Sequence, residues 1–397
     1  MKNIRITRTA DVPDELRLAR SLKAPEFGPR ILFFSGGTAL NPLSRDLVQF
    51  THNSIHLVTP FDSGGSSAKL RKVFRMPAVG DLRSRLMALT DQSVKGNPEV
   101  RKLFAHRLSL FEDPELLRQH LQSLASGEHL LMQRIPDPMG SMVRDHLGIF
   151  LEHMPQNFDL RGASIGNLIL AAGYLAGQRN IDTIIFLFSK LAEVLGEVLP
   201  VLDEDLHLAA ELENGTHIIG QHLLTGKEVP PISSRIKRIW INRNPTSIEP
   251  ARARIRNHVR DLIVQADLIC FPMGSFYSSV IANVLPDGVG QAVSENDCPK
   301  VYIPNTGADP EQFGMTLADN VTTLLRYLRK SSVGEPPVNK LINVVLLDSH
   351  LDRYAQPVDV AAVQKLGIEV LAMPLVDDEQ EIKLEAKRLL KVLLSLI

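Results

Sequence analysis

The chain has 397 residues, enough for two or three domains at roughly 150 residues each or for one large α/β unit whose core needs no disulfide staples. Its 44 lysines and arginines against 45 aspartates and glutamates leave a formal net charge of −1, which excludes a whole-protein field that collects nucleic acid or an anionic membrane. Any anion it binds is bound locally. The start, "MKNIRITRTADVPDE", is charged where a secretory h-region is apolar, and nowhere do 18 consecutive apolar residues occur. A cytoplasmic protein with no membrane partner is expected, and its two cysteines, Cys270 in an apolar run and Cys298 beside a proline, read as structural thiols.

Residues 1–30 form a leader before the first apolar run. Arg30 to Phe34 reads as a strand, followed by Ser35-Gly36-Gly37-Thr38 and a helix for which Asn41 offers an N-cap and Pro42 a first residue. Glycines let the backbone approach a ligand, and a helix N-terminus offers unpaired N–H groups to a phosphate. The same turn serves equally as a plain strand-to-helix connection. Because no Gly-Lys-Ser/Thr follows and no G-x-G-x-x-G is present, Walker-type ATP hydrolysis and dinucleotide chemistry lose their usual anchors.

A second strand, Ile55 to Thr59, leads into "DSGGSS", where Ser63, Gly64, Gly65, Ser66 and Ser67 supply bare backbone and hydroxyls. Asp62 supplies a carboxylate that either starts the turn or holds Mg²⁺ or a sugar hydroxyl. Asp81, in "VGDLRSRLMAL", reads as an N-cap unless a cation brings it together with Asp62, since two carboxylates otherwise repel. Residues 91–160 change to long helical periodicity, as in "PELLRQHLQSLAS", and read as a helical insertion. In "RGASIGNLILAAGYLAG", Ser164, Gly166 and Asn167 open a helix of small apolar residues; Asn167 either packs or bonds a base or sugar edge.

Asn214-Gly215 in "ELENGTHIIG" signals a two-residue hairpin, hence an antiparallel excursion near the middle of the sheet. Further strands are expected at Arg238 to Ile241, Asp267 to Phe271, Lys300 to Pro304, Ile342 to Leu347 and Glu369 to Ala372. Arg252, Arg256 and Arg260 recur at four-residue spacing on one helical face, solvated or phosphate-directed. After the strand at Asp267, Gly274 and Ser275 repeat the glycine-loop pattern and Tyr277 is placed to stack on a base or bond a phosphate. Histidines such as His146, His153 and His217 form no H-x-x-x-H pair, and no G-x-S-x-G elbow occurs. Residues 331–397 follow a Ser-, Gly- and Pro-containing linker as a β-α-β-α segment that completes the fold, its last helix carrying Ile382, Ala386, Leu389, Leu390, Leu393 and Ile397 on one face.

With these pieces in place the chain resembles the CofD and YvcK-like proteins. The resemblance rests on "SGGTAL", "DSGGSSAKLRKVF", "VGDLRSRLMAL", "SIGNLILAAGYL", "GEVLPVLDEDLHLAAELENGTHIIGQ" and "ADLICFPMGSFYSSVIANVLPDGVGQAV", in order, with "KVYIPNTGADPEQFGMTLADNV" after them, from Ile31 to Leu328. It implies a Rossmann-like three-layer α/β fold, mainly parallel, with residues 31–330 as a nucleotide-binding domain. One branch of the family transfers 2-phospholactate from a guanosine-diphospho donor to a deazaflavin precursor with Mg²⁺; the other binds UDP-sugars and acts in growth on gluconeogenic carbon. Carried onto this chain, the resemblance implies that a nucleoside diphosphate or nucleotide-sugar lies on Ser35, Gly36, Gly37 and Thr38, on Ser63, Gly64, Gly65, Ser66 and Ser67, and on Asn167, Gly274, Ser275 and Tyr277. Asp62 and Asp81 would hold Mg²⁺ and carry the chemistry, a deazaflavin-type acceptor would supply the hydroxyl, and the chain would form a homo-oligomer. Ser35 and Ala39 stand where the family tends to have glycine, "PFDSGG" has one acidic residue where two are typical, and Met273 replaces a proline, which marks a distinct subgroup.

Overall fold

The computed structural model describes residues 9, 11–92, 97–226, 228–376 and 383–397. Most of the leader's first ten residues, and Ile382 of the expected last helical face, lie outside the described residues. Among the described residues the strands are β1 (Ile31–Ser35), β2 (Ile55–Val58), β3 (Glu197–Pro200), β4 (His207–Leu212), β5 (His217–Ile219), β6 (Ile236–Asn242), β7 (Leu268–Phe271), β8 (Lys300–Tyr302), β9 (Val344–Asp348) and β10 (Glu369–Met373). Seven of them make one parallel sheet in the order β10-β9-β8-β7-β1-β2-β3.

The central strands are apolar and buried end to end because both faces of a parallel sheet are covered by crossover helices. Alternate side chains of β1 serve different cores, as the strand period of two requires. Leu32 and Phe34 join the large cluster that runs into the helices Gly65–Phe74, Gly80–Ala88 and Ile165–Ala176. Ile31 and Phe33 join the second cluster, with Leu43 and Leu47 of the helix Asn41–Leu47 and with Leu389, Leu390 and Leu393 of the final helix Ala386–Ser395. That final helix packs on Asn41–Leu47, and the helix Glu15–Lys23 packs on it in turn. The helices Pro98–Ala105, Pro114–Ser126, Leu130–Gln133 and Met139–His153 lie together beside Ile165–Ala176.

The hairpin forms, but not inside the main sheet. β4, β5 and β6 make a separate antiparallel sheet in the order β5-β4-β6, so the strand expected at Arg238 to Ile241 belongs there. Leu212 N–H donates to the Thr216 carbonyl, so the turn runs from Glu213 to Gly215 with Gly215 at φ 84°, one residue more than the Asn214-Gly215 pair signals. β3 carries Glu and Pro in four residues, a composition that hides a strand unless its place at the sheet edge is known. The basic face does not form either. Its helix begins only at Asn257, while Arg256 pairs with Asp182 and lies 3.6 Å from Asp203, and Arg260 pairs with Glu295.

Strand order places a cleft. From β1 the chain steps outward to β2 and β3, then returns to β7 on the other side of β1 and steps outward the other way. The loops leaving the carboxyl ends of β1 and β7 therefore part and leave a crevice, the switch point at which such sheets take their ligands.

Candidate functional site

At that crevice lies a cavity of about 240 Å³ lined by Ser35, Gly36, Gly37 and Thr38 after β1, Asp62 and Gly64 after β2, Asp81, and Gly274 and Ser275 after β7. Gln221, His222, Thr225 and Glu228, from the loop between β5 and β6, complete the wall. An adjoining compartment of about 460 Å³ shares Thr38, Ala39, Thr225, Met273, Gly274 and Ser275 and extends to Pro42, Leu43, Asn305 and Lys383. A larger groove of about 870 Å³ opens at the opposite, amino end of the strands, beside Arg30, Ser54 and Glu197. Size does not decide between them, since open α/β sheets bind at carboxyl ends and the glycine loops are there.

The loops are built from beneath. Arg85 is fully buried; its guanidinium donates to the Ser44 hydroxyl at 2.6 Å and to the carbonyls of Gly36 and Gly37 at 3.2 and 3.1 Å. Burial lowers it to about 10, opposed by the Asp81 carboxylate, so it stays cationic below the first glycine loop. Arg71 does the same for the second loop, bonding the carbonyls of Phe61 and Asp62 and pairing with Asp205 at 2.9 Å. Gly36 is required by close approach, because a Cβ there would collide with Ser279. Asn41 and Pro42 occupy the first two helical positions with Leu40 as N-cap, one residue earlier than expected.

The two carboxylates reach the same cavity. Asp62 Oδ1 accepts the Gly64 N–H at 3.1 Å, while Oδ2 lies 2.9 Å from where a Cβ on Gly80 would stand. Asp81 sits in the first turn of its helix rather than at the N-cap, with Oδ1 3.6 Å from the corresponding position on Gly37. Ser35 Oγ is buried beside them with no hydrogen-bond partner among the described residues, an acceptor and donor left over for a ligand. Among the described residues no group of three or more His, Cys, Asp or Glu side chains is arranged to hold a metal ion alone. Two hard oxygen ligands that leave further positions to ligand phosphates and water fit Mg²⁺.

Six candidates do not line the cavity. Ser63 bonds His222, Gly65 begins its helix, and Ser67 is buried under Gly80. Asn167 is buried, with Oδ1 accepting from Arg83 Nε at 2.9 Å and Nδ2 donating to Ser66 at 3.4 Å, contacts that support the loop. Tyr277, 1 % exposed, points its hydroxyl at the Ile236 carbonyl and is unavailable for stacking on a ligand. Its helix opening is also occupied, since Phe276 N–H donates to Asp309 and the Tyr277 and Ser278 N–H groups both donate to Glu311 at 2.8 Å. Burial, then the neighbouring Asp309 carboxylate, push Glu311 up to about 8.

Sequence reading missed Arg85, Arg71, His222 and Glu228. The arginines did not stand out in helices that also carry Lys69, Lys72, Asp81 and Arg83, and His222 and Glu228 had no signal because only the hairpin's placement brings them to the loops.

The family model described as 2-phospho-L-lactate transferase CofD matches residues 31–376. The chain is similar to the gluconeogenesis factor of Bacillus subtilis, 30% identical over 354 residues, 86% of this chain and 90% of that protein. It is also similar to the gluconeogenesis factor of Listeria monocytogenes, 26% identical over 355 residues, 87% of this chain and 88% of that one. A solved protein from Bacillus halodurans has a TM-score of 0.67 at 25% identity, covering 92% of this chain and 99% of its own. A second structure from that organism, described as a member of the UPF0052 family, has a TM-score of 0.66 at 24% identity and shares the fold.

Proposed function

Because this chain belongs to the CofD family, we propose that its switch-point cavity binds the diphosphate of a nucleoside-diphospho donor with Mg²⁺ and transfers a 2-phospholactate-type group from it to an acceptor hydroxyl. The observation that carries this reading is the convergence of three strand-end loops and of Asp62 and Asp81 on one cavity. The glycine loops offer backbone to the phosphates, and Asp62 and Asp81 would hold the cation. Mg²⁺ bound there supplies neutralisation of the charge that develops on the departing nucleoside monophosphate. Arg85 and Arg71 hold the loops still, so that their dipoles need no rearrangement as that charge grows. The adjoining compartment offers room for a deazaflavin-type acceptor. A cytoplasmic setting and a homo-oligomer belong to the same proposal; no helix among the described residues is long and apolar enough to cross a membrane.

A second reading, a non-catalytic UDP-sugar-binding regulator, is favoured by relatives named gluconeogenesis factor that match over most of their length. Both readings use the same cavity and part on turnover. Thermal shift and calorimetry with GDP, GTP, UDP and UDP-sugars, with and without Mg²⁺, test them. A ligand at a hundred times its Kd stabilises by about 2.7 kcal/mol, and Asp62→Asn and Asp81→Asn are each expected to abolish the Mg²⁺-dependent part of that gain. Guanine preference with Mg²⁺-dependent release of nucleoside monophosphate supports the transferase; metal-independent UDP-sugar binding without product supports the regulator. Silence across the panel rejects both.

A further inference from the structure

The cavity is acidic on what it shows of itself. Asp62, Asp81 and Glu228 line it, and among the described lining residues there is no lysine or arginine. A diphosphate brings negative charge of its own, and Mg²⁺ on Asp62 and Asp81 offsets only part of it. Among the described lining residues, His222 has an imidazole whose ring nitrogen can offer an N–H to an anionic oxygen.

That ring is held in place. Ser63 Oγ accepts the His222 backbone N–H at 3.2 Å and lies 2.8 Å from Nδ1. Oγ accepts that backbone N–H and has its own hydroxyl proton to give; when that proton goes to Nδ1, the ring proton sits on Nε2. Nε2 is then the remaining polar atom of a ring that lines the cavity, and it is a donor. Space for the pair comes from Gly220 at φ 112°, where a Cβ would stand 3.1 Å from the His222 ring and 3.3 Å from Ser63 Oγ. Glu228 meets the same glycine loop, its Oε1 2.6 Å from the Cβ position of Gly64. The β5–β6 loop thus rests on the second glycine loop at both Ser63 and Gly64.

Resting on the nucleoside-diphosphate reading, we propose that His222 is a ligand contact: its Nε2–H donates to an anionic oxygen of the bound diphosphate, and Ser63 is the residue that positions it. A general-base role would require the opposite tautomer. The residue is invisible to glycine-loop reasoning because it comes from the small sheet, about 160 positions later in the chain.

Calorimetry with GDP, UDP, guanosine and uridine in the presence of Mg²⁺, on wild type, His222→Ala, His222→Gln and Ser63→Ala, tests this. Loss of a hydrogen bond to a charged group is expected to weaken GDP or UDP binding by roughly 10- to 100-fold in His222→Ala, with the nucleosides unaffected. His222→Gln, which keeps an N–H donor, should recover part of the loss, and Ser63→Ala should show a smaller loss of the same sign. Ligand-free thermal unfolding checks that each variant is folded. Unchanged GDP and UDP affinity in His222→Ala, or a loss shared equally by the nucleosides, overturns the contact while leaving the nucleotide site standing. Wild type that binds neither diphosphate overturns both.

Discussion

The loops after β1 and β7 look alike in sequence, each a buried strand followed by glycine, serine and a helix, yet they meet different fates. After β1 a buried arginine holds the Gly36 and Gly37 carbonyls from below and the loop faces an open cavity with Asp62 and Asp81 across from it. After β7 the helix N–H groups that a phosphate would use are taken by Asp309 and Glu311 of the same chain, while Met273, Gly274, Ser275 and Ser279 reach the cavity. A strand-loop-helix unit offers anion-binding donors in either case. Whether a ligand receives them depends on which acidic residues the rest of the fold brings to that helix end.

The largest effect expected from breaking this contrast is at Arg85. Arg85→Ala removes a fully buried cation that satisfies Ser44 and two carbonyls, and it should cost about 3 kcal/mol or more by chemical denaturation, with nucleotide binding lost alongside. Next comes the close approach after β1. Gly36→Ala should destabilise by about 1–3 kcal/mol through its collision with Ser279, and Ser279→Gly in the same chain should recover most of that; independent, additive losses would show that the contact is not the cause.

Glu311 sharpens the comparison from the other side. Its folded value of about 8 lies above the 4.5 of a free side chain, so the folded protein binds more protons than the unfolded chain between those values. Its contribution to stability is therefore full below about pH 4.5 and is lost as pH rises through about 8. Glu311→Gln keeps an acceptor for the two N–H groups and should flatten that fall in a series of unfolding experiments, while GDP and UDP affinity changes little; a large loss of affinity would mean that the late helix end faces ligand after all. The smallest effect belongs to Tyr277→Phe, which removes a long hydrogen bond to Ile236 and should cost under about 1 kcal/mol with nucleotide affinity unchanged.

Much of the architecture was legible in the chain. The seven expected strands all form, the central ones because apolar runs have few alternatives once both faces are buried, although β6 joins the small sheet and β10 stays partly exposed. Less was legible where burial runs against composition. β3 escaped notice as an edge strand containing Pro200, and the spacing of Arg252, Arg256 and Arg260 suggested one helical face, whereas the helix starts at Asn257 and takes in only Arg260 of the three. At the site, Gly36, Gly37, Thr38, Asp62, Asp81, Gly274 and Ser275 were recognised from local pattern and do line one cavity. Asn167 and Tyr277 do not line that cavity, and a polar atom on an apolar helix looks the same in sequence whether it bonds a ligand or, as here, Arg83 or the Ile236 carbonyl.

By itself the sequence determined the α/β class, the strand-loop-helix units and the residue types at their turns, all of which are local and follow from periodicity, glycine placement and burial. Tertiary structure alone decided that β7 pairs with β1, that Asp62 and Asp81 share a cavity, that Arg85 underlies the first loop and that His222 arrives over Ser63 from another sheet. The physical reason is range. Backbone preference and hydrophobic period act over a few residues, whereas strand order, buried charge and the filling of helix ends depend on residues brought together from distant parts of the chain by the packing of the whole.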